Sequence, residues 1–221
     1  NRPFLRLVLA FFLNGIANAL PATLFLLFVQ HVLGPGADSG LLLLAYFLSA
    51  MLSVPFWLKL SYRFGKHRTW AISMLWVCLV FAAVPFLGDG DVKVFAAVCV
   101  LSGIGLGADL VLPDSMQADV VDYDHARSGR RRTAFLFALW SMASKLALAL
   151  AVGVAFPILG WAGFKTDAAN TPGSLAVLAG LYAGLPILLK LLSILLIWRF
   201  EIDAASQRRL RQQIEIAEGT V

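Results

Sequence analysis

The chain has 221 residues, 60% hydrophobic and only 14% charged, with a net charge of +5. A water-soluble domain carries roughly a quarter charged residues, so this composition excludes one and calls for an apolar solvent. The basic residues lie between apolar runs and form no continuous basic surface, which excludes nucleic acid as a partner and leaves membrane lipid.

A bilayer core of about 30 Å takes roughly 20 helical residues. Apolar runs of that length occur at 7–33, 41–60, 70–88, 93–116, 133–163 and 174–198. Backbone groups cannot face lipid unpaired, so each run is expected to be a helix. The predicted class is therefore all-α and integral to the membrane: a six-helix bundle over 1–200 and a cytoplasmic tail over 201–221. The tail carries an apolar stripe that suits either a helix lying on the membrane surface or a frayed, solvated one. The first residue is Asn1, with neither Met nor a leader before the first run, which reads as an entry into something longer.

Charge placement predicts the orientation. Fourteen of the 18 Lys and Arg residues lie before span 1, in alternate connections and after span 6. The other connections hold only Lys93 and Lys165, and Lys145 and Lys190 fall within spans. The positive-inside rule then puts both termini in the cytoplasm, and the even number of spans requires the same.

Ionisable groups at membrane depth need a reason to be there. On the first span, Asn14 and Asn18 are four apart and share a face, suited to gluing helices together or to holding a polar solute. On the fourth, Gly103 and Gly107 belong to an apolar Ser102-to-Ala108 segment that mimics a dinucleotide fingerprint. No strand precedes it, so a small-residue packing face is the better reading. Asp109 lies about 15 Å from the inner end of that span, and Lys145 about 18 Å into the fifth. Their similar depth on consecutive spans predicts an ion pair. Asp114, after Pro113, reads as interfacial. Ser141 shares the face of Lys145, and Trp140 beside it suits stacking on a sugar ring. Lys190, about 13 Å inside Arg199, fits either snorkelling or a site. Cys78 and Cys99 read as small buried residues. His31, His67 and His125 have no ligand spacing, and no cofactor or metal motif is present.

The fourth connection runs Ala118-Asp119-Val120-Val121-Asp122-Tyr123-Asp124, then Arg127-Ser128-Gly129-Arg130-Arg131. It resembles the signature between helices 10 and 11 of the melibiose-permease-like glycoside–pentoside–hexuronide cation symporters, within the major facilitator superfamily. Asn1-Arg2-Pro3-Phe4 with Asn14-to-Pro21 resembles that family's helix 7. Trp57-to-Lys59 with Arg63-to-Arg68 resembles its loop between helices 8 and 9, and Lys145 falls where the family carries a helix-11 lysine. The resemblance covers essentially the whole chain. It implies half of a twelve-helix fold, built from two inverted three-helix repeats and lacking its N-terminal six-helix partner.

The implied activity is symport of a sugar or glycoside-like solute, coupled to Na+ or H+, by alternating access in a bacterial inner or other plasma membrane. The solute site would draw on Lys145, Asp109, Asn14, Asn18, Trp140 and Ser141. Asp119, Asp122, Arg127 and Arg63 would form a cytoplasmic gate. Trp140 and Ser141 stand where a melibiose carrier would have polar residues, and related members move lysolipids, so a lysolipid flippase of the same fold is the alternative. A membrane-embedded enzyme is a further alternative, with only Asp114, Asp119 and His125 as raw material. A self-assembling six-helix channel is another.

Overall fold

The computed structural model describes residues 2–34, 36–128 and 132–200; the expected tail at 201–221 lies outside them. All regular structure among these residues is helical, and six stretches are long and apolar enough to cross a membrane.

The first span is α1 (Arg2–Phe28), continued by a π-helical turn at Val29–Leu33. Next come α2 (Ser39–Phe64) and α3 (Lys66–Phe81). Asp38 caps α2, its carboxylate accepting from the amides of Gly40 (2.9 Å) and Leu41 (3.1 Å). Gly65, at φ 84°, is the one residue between α2 and α3, in a left-handed conformation that glycine adopts without a Cβ penalty.

The fourth span is interrupted. It consists of α4 (Val92–Asp109) and α5 (Leu112–Ser128). Pro113 has no amide to give to the carbonyl of Asp109, four residues earlier, and its ring crowds that carbonyl. The helix therefore breaks at Asp109. The fifth span is α6 (Thr133–Trp161). The sixth is α7 (Pro172–Ala179), a π turn at Gly180–Gly184, and α8 (Leu185–Ile197), with Pro186 displacing the bond that Tyr182 would otherwise accept.

The packing has an internal symmetry. The first span packs on the fifth and sixth, the fourth packs on the second and third, and the third packs on the sixth. Exchanging spans 1–3 with spans 4–6 maps this pattern onto itself, as two three-helix repeats require. The α2–α4 seam is the tightest. A Cβ on Gly107 would lie 2.6 Å from the Ala50 carbonyl, and one on Gly103 would collide with the carbonyl of Tyr46. Ser53 and Trp57 of α2 both donate to the carbonyl of Ile104, at 2.9 and 2.6 Å. The small-residue face expected of this segment is what lets the two backbones approach.

Two apolar cores result. One gathers Leu24, Phe28, Phe81, Phe95, Leu159 and Tyr182. The other gathers Leu7, Trp57, Trp70, Met116, Leu136 and Ile197. Between them, on α1, α4 and α8, lies a layer of polar side chains.

Candidate functional site at the repeat interface

Asn14 and Asn18 enter that layer from α1, one turn apart. Asp109 enters from the broken end of α4, Trp70 from α3 and Lys190 from α8. Spans 1 and 4 are symmetry equivalents, and so are spans 3 and 6, so both repeats contribute matching elements to one cluster.

Asp109 Oδ1 accepts from Asn14 Nδ2 at 2.9 Å and from Trp70 Nε1 at 2.5 Å. Its Oδ2 accepts from Asn18 Nδ2 at 2.9 Å. Lys190 Nζ donates to Asn14 Oδ1 and Asn18 Oδ1, both at 2.7 Å, and lies 3.7 Å from Asp109 Oδ2. Each asparagine amide thus bridges the carboxylate and the ammonium. Lys190 is 1% exposed and Asn14 2%. Neither charge could be held at this depth alone, and each is neutralised and hydrogen-bonded by the other's shell.

This arrangement corrects the expected Lys145–Asp109 pair. The buried positions of α6 run Leu136, Trp140, Ala143, Ala147, Ala151, a stripe of one face. Lys145 lies two residues past Ala143, on the opposite side, and is exposed on this half of the fold, as is Ser141. Similar depth along the spans did not fix the partner; helix rotation decided it. Lys190 does not snorkel; it is the cation that Asp109 holds. Trp140 is not an open stacking platform: one face lies against Phe11 at 3.7 Å between ring centroids, and its Nε1 donates to Asp114 at 3.0 Å. Asp114 is thereby tied to α6.

At the expected gate, Asp119 meets Lys66, with Nζ 2.6 Å from Oδ2, and Lys66 also reaches the Ser115 carbonyl at 3.4 Å. This clamps the start of α3 to α5. Arg127 donates to Tyr123 one turn back at 2.8 Å, and Arg63 sits over the Phe64 ring. Asp122 also makes contacts in this region. Lys66 was visible only as one of several basic residues in its loop, and Trp70 only as an aromatic at a span start.

α1 and α2 stand apart, and a cavity of about 280 Å³ opens between them, reaching α4 and the π turn of span 6. Its walls are apolar and rich in rings, and Asn18 edges it. A small annex of about 20 Å³ joins Asn18 and Tyr46 to Asp109. The charged cluster therefore forms the floor below an apolar chamber.

Across residues 1–204 the sequence matches the family model described as MFS/sugar transport protein. This chain belongs to that family. Its relatives include the sodium-dependent lysophosphatidylcholine symporter 1 of Gallus gallus, 29% identical over 96% of this chain and 40% of the relative. The sphingosine-1-phosphate transporter MFSD2B of Xenopus tropicalis is 28% identical over 75% of this chain and 32% of its own length. The uncharacterized symporter sll1374 of Synechocystis sp. is 26% identical over 97% and 41%. The chain spans about two fifths of the length of the relatives it matches. Family and helices together make it a multi-pass membrane protein with half of a twelve-helix fold. The sugar solute gains no support from these relatives; those whose cargo is named carry lysolipid-like amphiphiles, which favours the alternative.

Proposed function

We propose that this chain is the C-terminal half of a cation-coupled symporter that moves a lysolipid-class amphiphile by alternating access, with no enzymatic step. The carrying observation is the match over 96% of the chain to a sodium-dependent lysophosphatidylcholine symporter. The site's architecture supports it: an apolar chamber beside a charged floor suits a molecule with a polar head and an apolar body better than it suits a sugar, polar all round.

In this reading, Lys145 and Ser141 point from α6 toward the N-terminal six-helix half, where a lysine at this depth finds an anionic group of the solute. The Asn14–Asn18–Asp109–Lys190 cluster holds the two repeats of this half together while the halves rock, and Asn18 borders the solute. Trp140 supports the path through Phe11. The Lys66–Asp119 pair, with Asp122, Arg127 and Arg63 nearby, closes the cytoplasmic side in one state and parts in the other. Na+ or H+ is the coupling ion, the plasma membrane is the site, and both termini face the cytoplasm.

The test is uptake by the full-length transporter in liposomes, with tail-labelled lysophosphatidylcholine and a labelled glycoside, with and without a Na+ gradient. Gradient-driven uptake of the lysolipid alone is expected. Uptake of the glycoside alone would overturn the reading. Labels at Gly90 and Asn170 should react from outside and one at His67 only from inside.

A further inference from the structure

A second cavity, of about 670 Å³, is an open groove along α2, α3 and α4 that the transport reading does not use. Two residues of its rim, Leu52 and Phe56, are more than half exposed. α3 packs on α2, α4 and α8, whereas α6, which carries Lys145, packs on α1. The groove thus lies away from the α6 face assigned to the N-terminal half, and its surroundings are lipid.

Its wall on α2 is a single helical face, on which Ser49, Leu52, Ser53, Phe56, Trp57 and Leu60 recur at spacings of three and four. The rise from Ser49 to Leu60 is about 17 Å, roughly half of a 30 Å bilayer core. The groove is therefore about as long as one leaflet is deep, on the side of the Gly65 turn. Ile72 and Trp76 of α3 form the facing wall. The hydrogen-bond donors of the walls are already engaged. Trp57 and Ser53 are held by the Ile104 carbonyl, Trp76 Nε1 donates to the Leu101 carbonyl at 2.8 Å, and Ser49 donates to the Tyr46 carbonyl at 2.8 Å. A polar group entering the groove would lose its hydration without return, and a hydrocarbon chain would lose nothing.

The Gly65 end of the groove is basic. Arg68, four residues before Ile72, extends the α3 wall. Arg63, three residues after Leu60, extends the α2 wall, and Lys59, three after Phe56, flanks it. All three are exposed. No Asp or Glu occurs anywhere in residues 39–88, and Asp119, which reaches this end from α5, is taken by Lys66. Among the described residues no ion pair engages Lys59, Arg63 or Arg68. A hydrocarbon groove ending in unpaired cations at the membrane surface has the charge and shape complementary to a lipid with an anionic headgroup.

We propose that this groove binds an anionic phospholipid of the surrounding membrane, with one acyl chain along Leu52, Phe56, Ile72 and Trp76 and the phosphate against Lys59, Arg63 and Arg68. This lipid is a ligand of the outer surface and not the cargo. Bound there, it braces α2 against α3 across the one-residue Gly65 turn. Bulk lipid covers any apolar face; selection by headgroup charge is what marks a site.

The full-length transporter is placed in phosphatidylcholine nanodiscs with a trace of phosphatidylglycerol or phosphatidylcholine carrying the same photoactivatable acyl chain, and cross-linked residues are located by mass spectrometry. Phosphatidylglycerol should label the groove at least roughly fivefold more than phosphatidylcholine does. Unlabelled phosphatidylglycerol should compete, and neither lysophosphatidylcholine nor inorganic phosphate should. Arg68→Gln should lower labelling by phosphatidylglycerol roughly fivefold, and Lys59→Gln added to it should lower it further. Labelling by phosphatidylcholine should be unchanged in both, which also shows that the groove is folded. Leu52→Trp, which fills the groove, should lower labelling by both lipids. Equal labelling by the two lipids, or no effect of Arg68→Gln, would reduce the groove to ordinary lipid contact and overturn the proposal. A groove labelled by neither lipid would be covered by the N-terminal half or a second copy, which overturns it as well. Displacement by lysophosphatidylcholine would put the groove on the path of the cargo and overturn its separate role.

Discussion

Lys190 and Lys145 are both lysines at membrane depth, and their surroundings are opposite. Lys190 is enclosed by α1, α4 and α8, its ammonium held by two amide oxygens and facing a carboxylate. Lys145 lies on the far side of α6 from the stripe that packs on this bundle, and no hydrogen bond or ion pair holds it among the described residues. A charge whose partners sit inside its own half serves folding. A charge that its own half leaves exposed at membrane depth is costly unless something outside that half answers it. The pair thus contrasts an ion held within this half with one that we propose answers a group outside it.

The largest effect that would break this contrast is at Lys190. Lys190→Met leaves Asp109 buried without its counter-ion and should cost about 3–5 kcal/mol, read as a fall in thermal stability of the full-length protein. Pairing it with Asp109→Asn should recover most of that loss; a double variant as unstable as the sum would show that the two do not act as a pair.

Asn14 bridges the same ions. Asn14→Leu removes one donor to the carboxylate and one acceptor from the ammonium, and about 1–3 kcal/mol is expected. A neutral result in the same melting measurement would mean that Asn18 alone suffices.

At Lys145 the readouts should divide. Lys145→Ala should cut uptake at least tenfold, about 1.4 kcal/mol, with the melting temperature unchanged, and Lys145→Arg should fail similarly because a planar fork does not replace a compact ammonium. Normal uptake by Lys145→Ala would remove the functional half of the contrast.

The smallest expected change is at Lys66, whose side chain is one third exposed while Asp119 is largely buried. Lys66→Gln should shift stability by no more than about 1 kcal/mol. Its mark should be on the conformational balance instead, seen as altered reactivity of a label at His67. If reactivity stays constant, the Lys66–Asp119 pair is a static clamp.

Much of this protein is dictated by local chemistry. Six apolar stretches must be helices in lipid, because no other open structure pairs its own backbone there, and the described helices are those six. Pro113 breaks the fourth span four residues after Asp109, and the Gly103–Gly107 spacing makes a seam. These features depend only on near neighbours in the chain. The motif around Asp119 was likewise enough to identify the family. The choice of partners was not local. Asp109 lies at similar depth to Lys145 and to Lys190, and depth is all that counting residues along a span provides. Which of them it meets depends on how each helix is rotated about its axis, and that is set by packing against neighbours distant in sequence. The aromatic chamber belongs to the same category: Phe25, Tyr46, Phe81 and Tyr182 are spread over more than 150 positions, and only the assembly of four spans brings them around one space.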